Sequence, residues 1–147
     1  MKNLTIVSAA VHQPREDEPP HLAKAVFTLP VLKSWVNATS NMHGGIIAML
    51  IDVTTTFTLS CIASRNKNGD NFWKYPGVSR NLTVTYLKPV PTDITVRVEC
   101  TITSVGKRLV SMQAVVRDHD TGAILCTGQH DKVSVEPPKP RDDTAKL

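Results

Sequence analysis

Asn37-Ala-Thr-Ser-Asn-Met-His43-Gly44-Gly45-Ile-Ile-Ala-Met-Leu-Ile-Asp52 is the stretch on which the fold turns. A polar run ends in a histidine and two glycines, then gives way at once to an apolar segment holding a single carboxylate. Followed downstream, that segment reads as one element from about Gly45 to Ser64, roughly 20 residues and about 30 Å long if helical. Propensity alone does not decide its type, because Thr54-Thr55-Thr56-Phe57-Thr58 is β-prone and β-branched residues lose rotamer freedom in helices. Length decides for helix, since strands rarely exceed about 10 residues. Apolar character on every side predicts that this helix is wrapped on most of its faces. At its start, free backbone N–H groups and the helix dipole favour negative charge. Within it, Asp52 is costly unless it has a partner or a task. Together these features point to an active site.

The flanking sequence supplies strands. Residues 2–11 and Leu22 to Leu29 read as strands, separated by the proline-bracketed charged loop Pro14-Arg-Glu-Asp-Glu-Pro-Pro20. Pro30 to Met42 is irregular and polar. Beyond the helix, Arg65 to Gly77 reads as a loop with exposed-looking aromatics at Phe72, Trp73 and Tyr75. Val78 to Leu87 is a strand stopped by Lys88-Pro89-Val90-Pro91. Asp93 to Ser104 alternates through Ile94, Val96, Val98, Cys100 and Ile102. Val105-Gly106-Lys107 turns into a strand over Arg108 to Asp118, and the hairpin loop Asp118–Gly122 leads into Ala123 to Val135. The prediction is an α+β domain over residues 1–135: two strands, one buried helix, then a meander of about four antiparallel strands wrapped round it. Residues 136–147, rich in proline and charge, read as a flexible tail.

Composition narrows the function. With 147 residues the chain forms one domain with a substantial core. It is 41% hydrophobic and 20% charged, with a formal net charge of +4. Its mean hydropathy is −0.12. This mild, scattered positive charge and an aromatic content of only 5% fit an anionic small molecule better than a nucleic acid. Cys61, Cys100 and Cys126 lie in apolar contexts without metal-ligand spacing, and read as buried reduced thiols of an intracellular protein. The sequons at Asn37 and Asn81 are then chance matches. Ile46 to Ala63 is near the lower length limit for a membrane span, but Asp52 and its threonines favour a core helix.

The order of these elements, with His43-Gly44-Gly45 at the helix start, resembles the hotdog fold. More narrowly it resembles acyl-CoA thioesterases of the PaaI/4HBT type, above all the thioesterase superfamily member 2 group. The resemblance runs from about Leu22 to Val135. It is carried by Asn37 six residues before His43-Gly44-Gly45, Asp52, Gly77-Val78-Ser79 and Thr83-Val84-Thr85-Tyr86-Leu87-Lys88-Pro89. It implies that Asn37 and the Gly44 N–H hold the thioester carbonyl and that His43 supports that corner. It also implies that Asp52 is general base or nucleophile and that Ser79 positions the attacking water. The acid product forms by hydrolysis through Asp52 as base, or through an anhydride on Asp52. No cofactor or metal is implied.

Spacing adds a constraint of its own. His43 and Asp52 lie nine residues apart, about 13.5 Å along a helix and roughly 900° round it, on opposite sides. One chain therefore does not present both to one thioester. The predicted site is composite, with Asp52 and Ser79 of one subunit facing Asn37, His43 and Gly44 of another, as in hotdog dimers. The resemblance further implies a homodimer and a dimer of dimers. For the CoA of the substrate, Gly45, Lys107, Arg108, His130 and Lys132 are the candidates, the side chains as phosphate partners. The alternatives are a non-catalytic acyl-CoA-binding protein of the same fold and a hotdog hydratase or dehydratase. Ala145-Lys146-Leu147 is a close variant of the Ser-Lys-Leu peroxisomal signal, so peroxisomal import is expected, otherwise a cytoplasmic or mitochondrial location.

Overall fold

The computed structural model of the chain describes residues 1, 3–11, 23–63, 73 and 75–135. The tail with its Ala145-Lys146-Leu147 tripeptide, the charged 14–20 segment and Phe72 lie outside them. Six strands form one antiparallel sheet: β1 (Thr5–Val11), β2 (Ala23–Pro30), β3 (Val78–Tyr86), β4 (Thr95–Val105), β5 (Leu109–Asp118) and β6 (Ile124–Val133). Between β2 and β3, after a short 3-10 turn at Lys33–Trp35, runs the one α-helix among the described residues, the 20-residue α1 (Gly44–Ala63), packed against the sheet. The helix begins one residue earlier than its pattern predicts, and each strand end falls within three residues of its expected place.

The strand order is β1-β2-β4-β5-β6-β3. Only β4, β5 and β6 form the predicted meander. β3 does not pair with β4; it crosses to the far side of β6, with Leu82 opposite His130 and Thr85 opposite Thr127. The segment behind β3 explains the crossing. Lys88-Pro89-Val90-Pro91 is drawn under the helix start by a hydrogen bond from the Met42 N–H to the Val90 carbonyl (2.7 Å) and by a bridge between Asn41 and Pro91. Val90 itself is buried. The chain passes beneath the helix before β4 begins, and β3 is left as an edge strand.

The core lies between helix and sheet. Leu50, Ile51 and Leu59 of α1 meet Phe27, Leu29, Val96, Val98, Cys100 and Met112, all fully buried. The helix is not wrapped all round, however. Met49 is 47% and Phe57 50% exposed, leaving an apolar stripe uncovered on the chain taken alone. A second correction concerns Trp73. It does not belong to an exposed aromatic loop but is 4% exposed. It packs with Leu59, Ile102 and Met112, and its Nε1–H donates to the Gly106 carbonyl at 2.9 Å. Tyr75 is exposed, as expected.

Two glycines set how closely these pieces approach. A Cβ on Gly128 would stand 2.7 Å from Ile51 Cγ2, so the helix rests on bare backbone of β6 at that point. Gly77 holds a left-handed φ of +65°, and a Cβ there would lie 2.2 Å from the Val133 carbonyl oxygen. It turns the chain into β3 in the one conformation that clears β6. We expect Gly128→Ala to destabilise the fold by about 1–3 kcal/mol through overpacking. In urea unfolding the midpoint falls with the slope unchanged; an unaltered midpoint would show that the contact with Ile51 does not set the helix height.

Candidate active site

At the helix start, His43 is the N-cap residue. Its carbonyl accepts from the Ile46 and Ile47 N–H groups, and its Nδ1 accepts from the Gly45 N–H at 3.0 Å. His43 thus carries its proton on Nε2, and the Gly45 amide is spent on the cap. Gly45 is accordingly not a free donor for CoA, contrary to the sequence reading. Gly44 is different. Among the described residues its N–H has no acceptor, and its carbonyl accepts from the Tyr86 hydroxyl at 2.9 Å. The Tyr86 ring packs so closely that a Cβ on Gly44 would sit 3.2 Å from its oxygen. Sequence reasoning quoted Tyr86 only as part of a motif; here it packs on Gly44 and holds the peptide that follows the free amide.

Asn37 is oriented by its own turn. Its Oδ1 accepts from the Thr39 N–H (2.9 Å), the Thr39 hydroxyl (2.7 Å) and the Asn41 N–H (3.2 Å). Two of these donors are backbone amides, so the oxygen assignment is unambiguous and Nδ2 is the group left to donate outward. A cavity of about 540 Å³ lies over this corner, lined by Asn37, Gly44, Ile47, Tyr86, Lys88 and Val90 among others. It is a donor-lined hollow without a carboxylate.

The carboxylate sits two turns further along. Asp52 is half-exposed, and every contact that the described residues make with it falls on Oδ1. The Ser79 hydroxyl lies at 3.3 Å, the Thr56 hydroxyl at 3.5 Å, His130 Nε2 at 3.5 Å and Lys132 Nζ at 3.9 Å. Oδ2 is left to the open side. Ser79 reaches the helix because β3 carries a bulge between Ser79 and Asn81. The extra residue puts Ser79 on the same face as Leu82, Val84 and Tyr86, where regular alternation would point it away.

His130 extends the group inward. It is fully buried, with Nε2 2.9 Å from Ser79 Oγ and Nδ1 2.7 Å from Thr55 Oγ1. The Thr55 hydroxyl also donates to the Ile51 carbonyl at 2.7 Å, and the imidazole is held between Thr55 on the helix side and Ser79 on the strand side. Burial pushes the His130 imidazole below its ordinary value, against the pull of Asp52, and the ring is neutral near pH 7. Lys132 is 4% exposed and donates to Thr56 Oγ1 at 3.0 Å. His130 and Lys132 are therefore not phosphate-binding residues on an outer surface; they face the helix and serve the carboxylate. Lys107 and Arg108, the other expected phosphate partners, are exposed at the β4–β5 turn. A signal for the inward pair was present in Cys126-x-Gly128-x-His130-x-Lys132, whose alternation puts all four on the core face.

The three cysteines are free, as expected. Burial pushes the Cys100 thiol, and likewise that of Cys126, up to about 11, so neither offers a thiolate near neutral pH. Asp52 is thus a half-exposed carboxylate with the Ser79 hydroxyl and the His130 ring behind it.

His130 also links the site to stability. The unfolded chain takes up a proton first as pH falls through about 6.5, so this group's contribution is present above that range and lost below it. We expect His130→Asn to flatten the fall of unfolding free energy between about pH 7 and 5. An equally steep fall in the variant would place the effect elsewhere.

Comparison with known proteins gives the family and the fold. Residues 39–124 match the family model described as thioesterase superfamily. Human acyl-coenzyme A thioesterase 13 is 26% identical over 129 residues, covering 88% of this chain and 78% of that protein. Among solved structures, thioesterase superfamily member 2 from Mus musculus superposes with a TM-score of 0.73 at 25% identity, over 91% of this chain and 84% of that one. A hypothetical thioesterase protein from Streptococcus pneumoniae, solved with coenzyme A, shares the fold with a TM-score of 0.68 at 18% identity, over 93% of each chain. The architecture is the hotdog fold, and with more than half of its length matched by the family model the chain belongs to the thioesterase superfamily.

Proposed function

We propose that this chain hydrolyses the thioester of an acyl-CoA to the free acid and CoA, at a site shared between two copies of the chain. The observation that carries this reading is the separation of two complementary half-sites along one edge strand. Ser79, with Asp52, lies near the start of β3; Tyr86, with the free Gly44 amide and the Asn37 Nδ2, lies at its end. Asp52 and Gly44 stand eight residues apart on α1, about 12 Å along its axis, too far for one thioester. β3 is an edge strand, and nothing in the sheet pairs its outer side. With the bulge counted, antiparallel pairing of β3 with its own copy about Thr83 brings Ser79 of one subunit opposite Tyr86 of the partner subunit. Each base then faces a pair of donors, and the two sites are equivalent. The uncovered stripe of Met49 and Phe57 lies on the same helix and gives such a pairing apolar surface to cover.

The chemistry follows from the positions. The carbonyl oxygen of the thioester accepts from the Gly44 N–H and Asn37 Nδ2, where negative charge develops as water adds. Ser79 holds that water, and Asp52 Oδ2 takes its proton as the new C–O bond forms. Collapse of the adduct breaks the C–S bond, and the proton on Asp52 passes to the departing thiolate of CoA. The names of the relatives and the coenzyme A in the Streptococcus pneumoniae structure support CoA as the thiol. A dimer suffices for this chemistry; a pairing of dimers, which the resemblance implies, adds no residue to it. A protein that only binds acyl-CoA has no need of an activated carboxylate, which favours hydrolysis.

Thiol release from a panel of short, medium, long and aryl acyl-CoAs tests the reading. Asp52→Ala lowers kcat by about 10²–10⁴ while acyl-CoA binding persists. Mixed dimers of Asp52→Ala with Asn37→Ala recover activity that neither parent has, because one of the two shared sites is intact. A wild-type protein inert across the panel refutes the enzyme, and failure of the mixture to recover refutes the shared site.

A further inference from the structure

Lys132 has no place in the mechanism as so far described, yet it is one of the most costly side chains in the molecule. Its ammonium is carried on β6 into the helix–sheet interface, with the side chain only 6% exposed. Nothing apolar requires a cation there. Its polar neighbours are Thr56 Oγ1 at 3.0 Å and Asp52 Oδ1 at 3.9 Å, and Thr56 Oγ1 in turn stands 3.5 Å from the same Oδ1. Thr56 lies one helical turn after Asp52, so the threonine bridges the ammonium to the carboxylate along the helix face. From β3 the Ser79 hydroxyl meets Oδ1 from the other side. The carboxylate is thus clamped through one oxygen while the other faces the open side.

We infer that Lys132 is a positioning residue for Asp52: a buried counter-charge that, with Thr56, holds the carboxylate through Oδ1 and leaves Oδ2 to the water. The inference rests on the reading of Asp52 as the base. The charged groups that bear on this corner are Asp52 from α1 and His130, Asp131 and Lys132 from β6. β5 brings the apolar Val110 and Met112 opposite Lys132 and His130, and β3 brings Ser79. His130 is neutral near pH 7, so Lys132 supplies the positive charge nearest the carboxylate. Burial lowers the Lys132 ammonium from its ordinary value and Asp52 pulls it back, as expected for a cation kept inside by its partner. A role in placing an ionised base shows in the pH dependence of catalysis, whereas a merely structural lysine would alter only the amount of folded protein.

The test is the pH profile of kcat/KM for thiol release by the full chain, in wild type, Lys132→Met and Lys132→Arg, with thermal unfolding run beside it. Methionine keeps the length and apolar stem and removes the charge. We expect its acid limb to move to higher pH by about one unit, with kcat lowered, while arginine leaves the limb near that of the wild type. Unmoved acid limbs in both variants overturn the inference. Should Lys132→Met fail to fold, Thr56→Val decides. Without its hydroxyl acceptor the ammonium has only the carboxylate to turn to, so the acid limb moves to lower pH, and an unmoved or raised limb overturns the inference. A wild-type protein that releases no thiol from any acyl-CoA overturns the base and its positioning residue together; an active wild type with unmoved limbs removes Lys132 alone.

Discussion

One negative charge on an otherwise apolar helix governs this molecule. Asp52 follows Ile51, which is fully buried against the backbone of β6 at Gly128. The helix therefore lies close on the sheet at the very turn that carries the carboxylate. At that distance the carboxylate cannot rely on bulk water alone, and β6 and β3 must offer it hydrogen-bond donors and positive charge. The bulge in β3, the left-handed Gly77 before it and the inward alternation of His130 and Lys132 all serve that one requirement. Remove the charge and these features have no common reason to exist.

The helix start obeys a different economy. There the problem is an excess of unpaired amides rather than an unpaired anion. His43 uses a ring nitrogen to satisfy one of them and leaves the amide before it open. Tyr86 then holds the next peptide by the Gly44 carbonyl, and Asn37 is locked by its own turn so that only its donor faces out. The two ends of the site are complementary in kind: donors without an acceptor at one, an acceptor with its spare oxygen at the other.

Much of this was legible in the residues. The length and texture of Gly45 to Ser64 announced the helix, and alternation announced β4 and β5. The motif residues Asn37, His43, Gly44, Asp52 and Ser79 lie where two half-sites can be built from them. What remained hidden depended on three-dimensional neighbours. The place of β3 beside β6 follows from a hydrogen bond under the helix start that no local pattern encodes. Lys132 looked like a surface cation because lysines usually are, and only the parity shared with Cys126 and Gly128 marks it as inward. Gly45 looked like a donor until the histidine beside it claimed its amide. Trp73 lay in a polar stretch with no periodicity to reveal its burial.

That tryptophan has a wider meaning. Its ring closes the sheet end beyond Leu59, and its indole nitrogen is tied to the Gly106 turn. Four residues later Gly77 fixes the direction in which the chain enters β3. The connection from the helix thus returns through two fixed points before it reaches Ser79. Trp73, tied to the β4–β5 turn, and Gly77, in its left-handed turn, together set the direction from which Ser79 approaches the carboxylate.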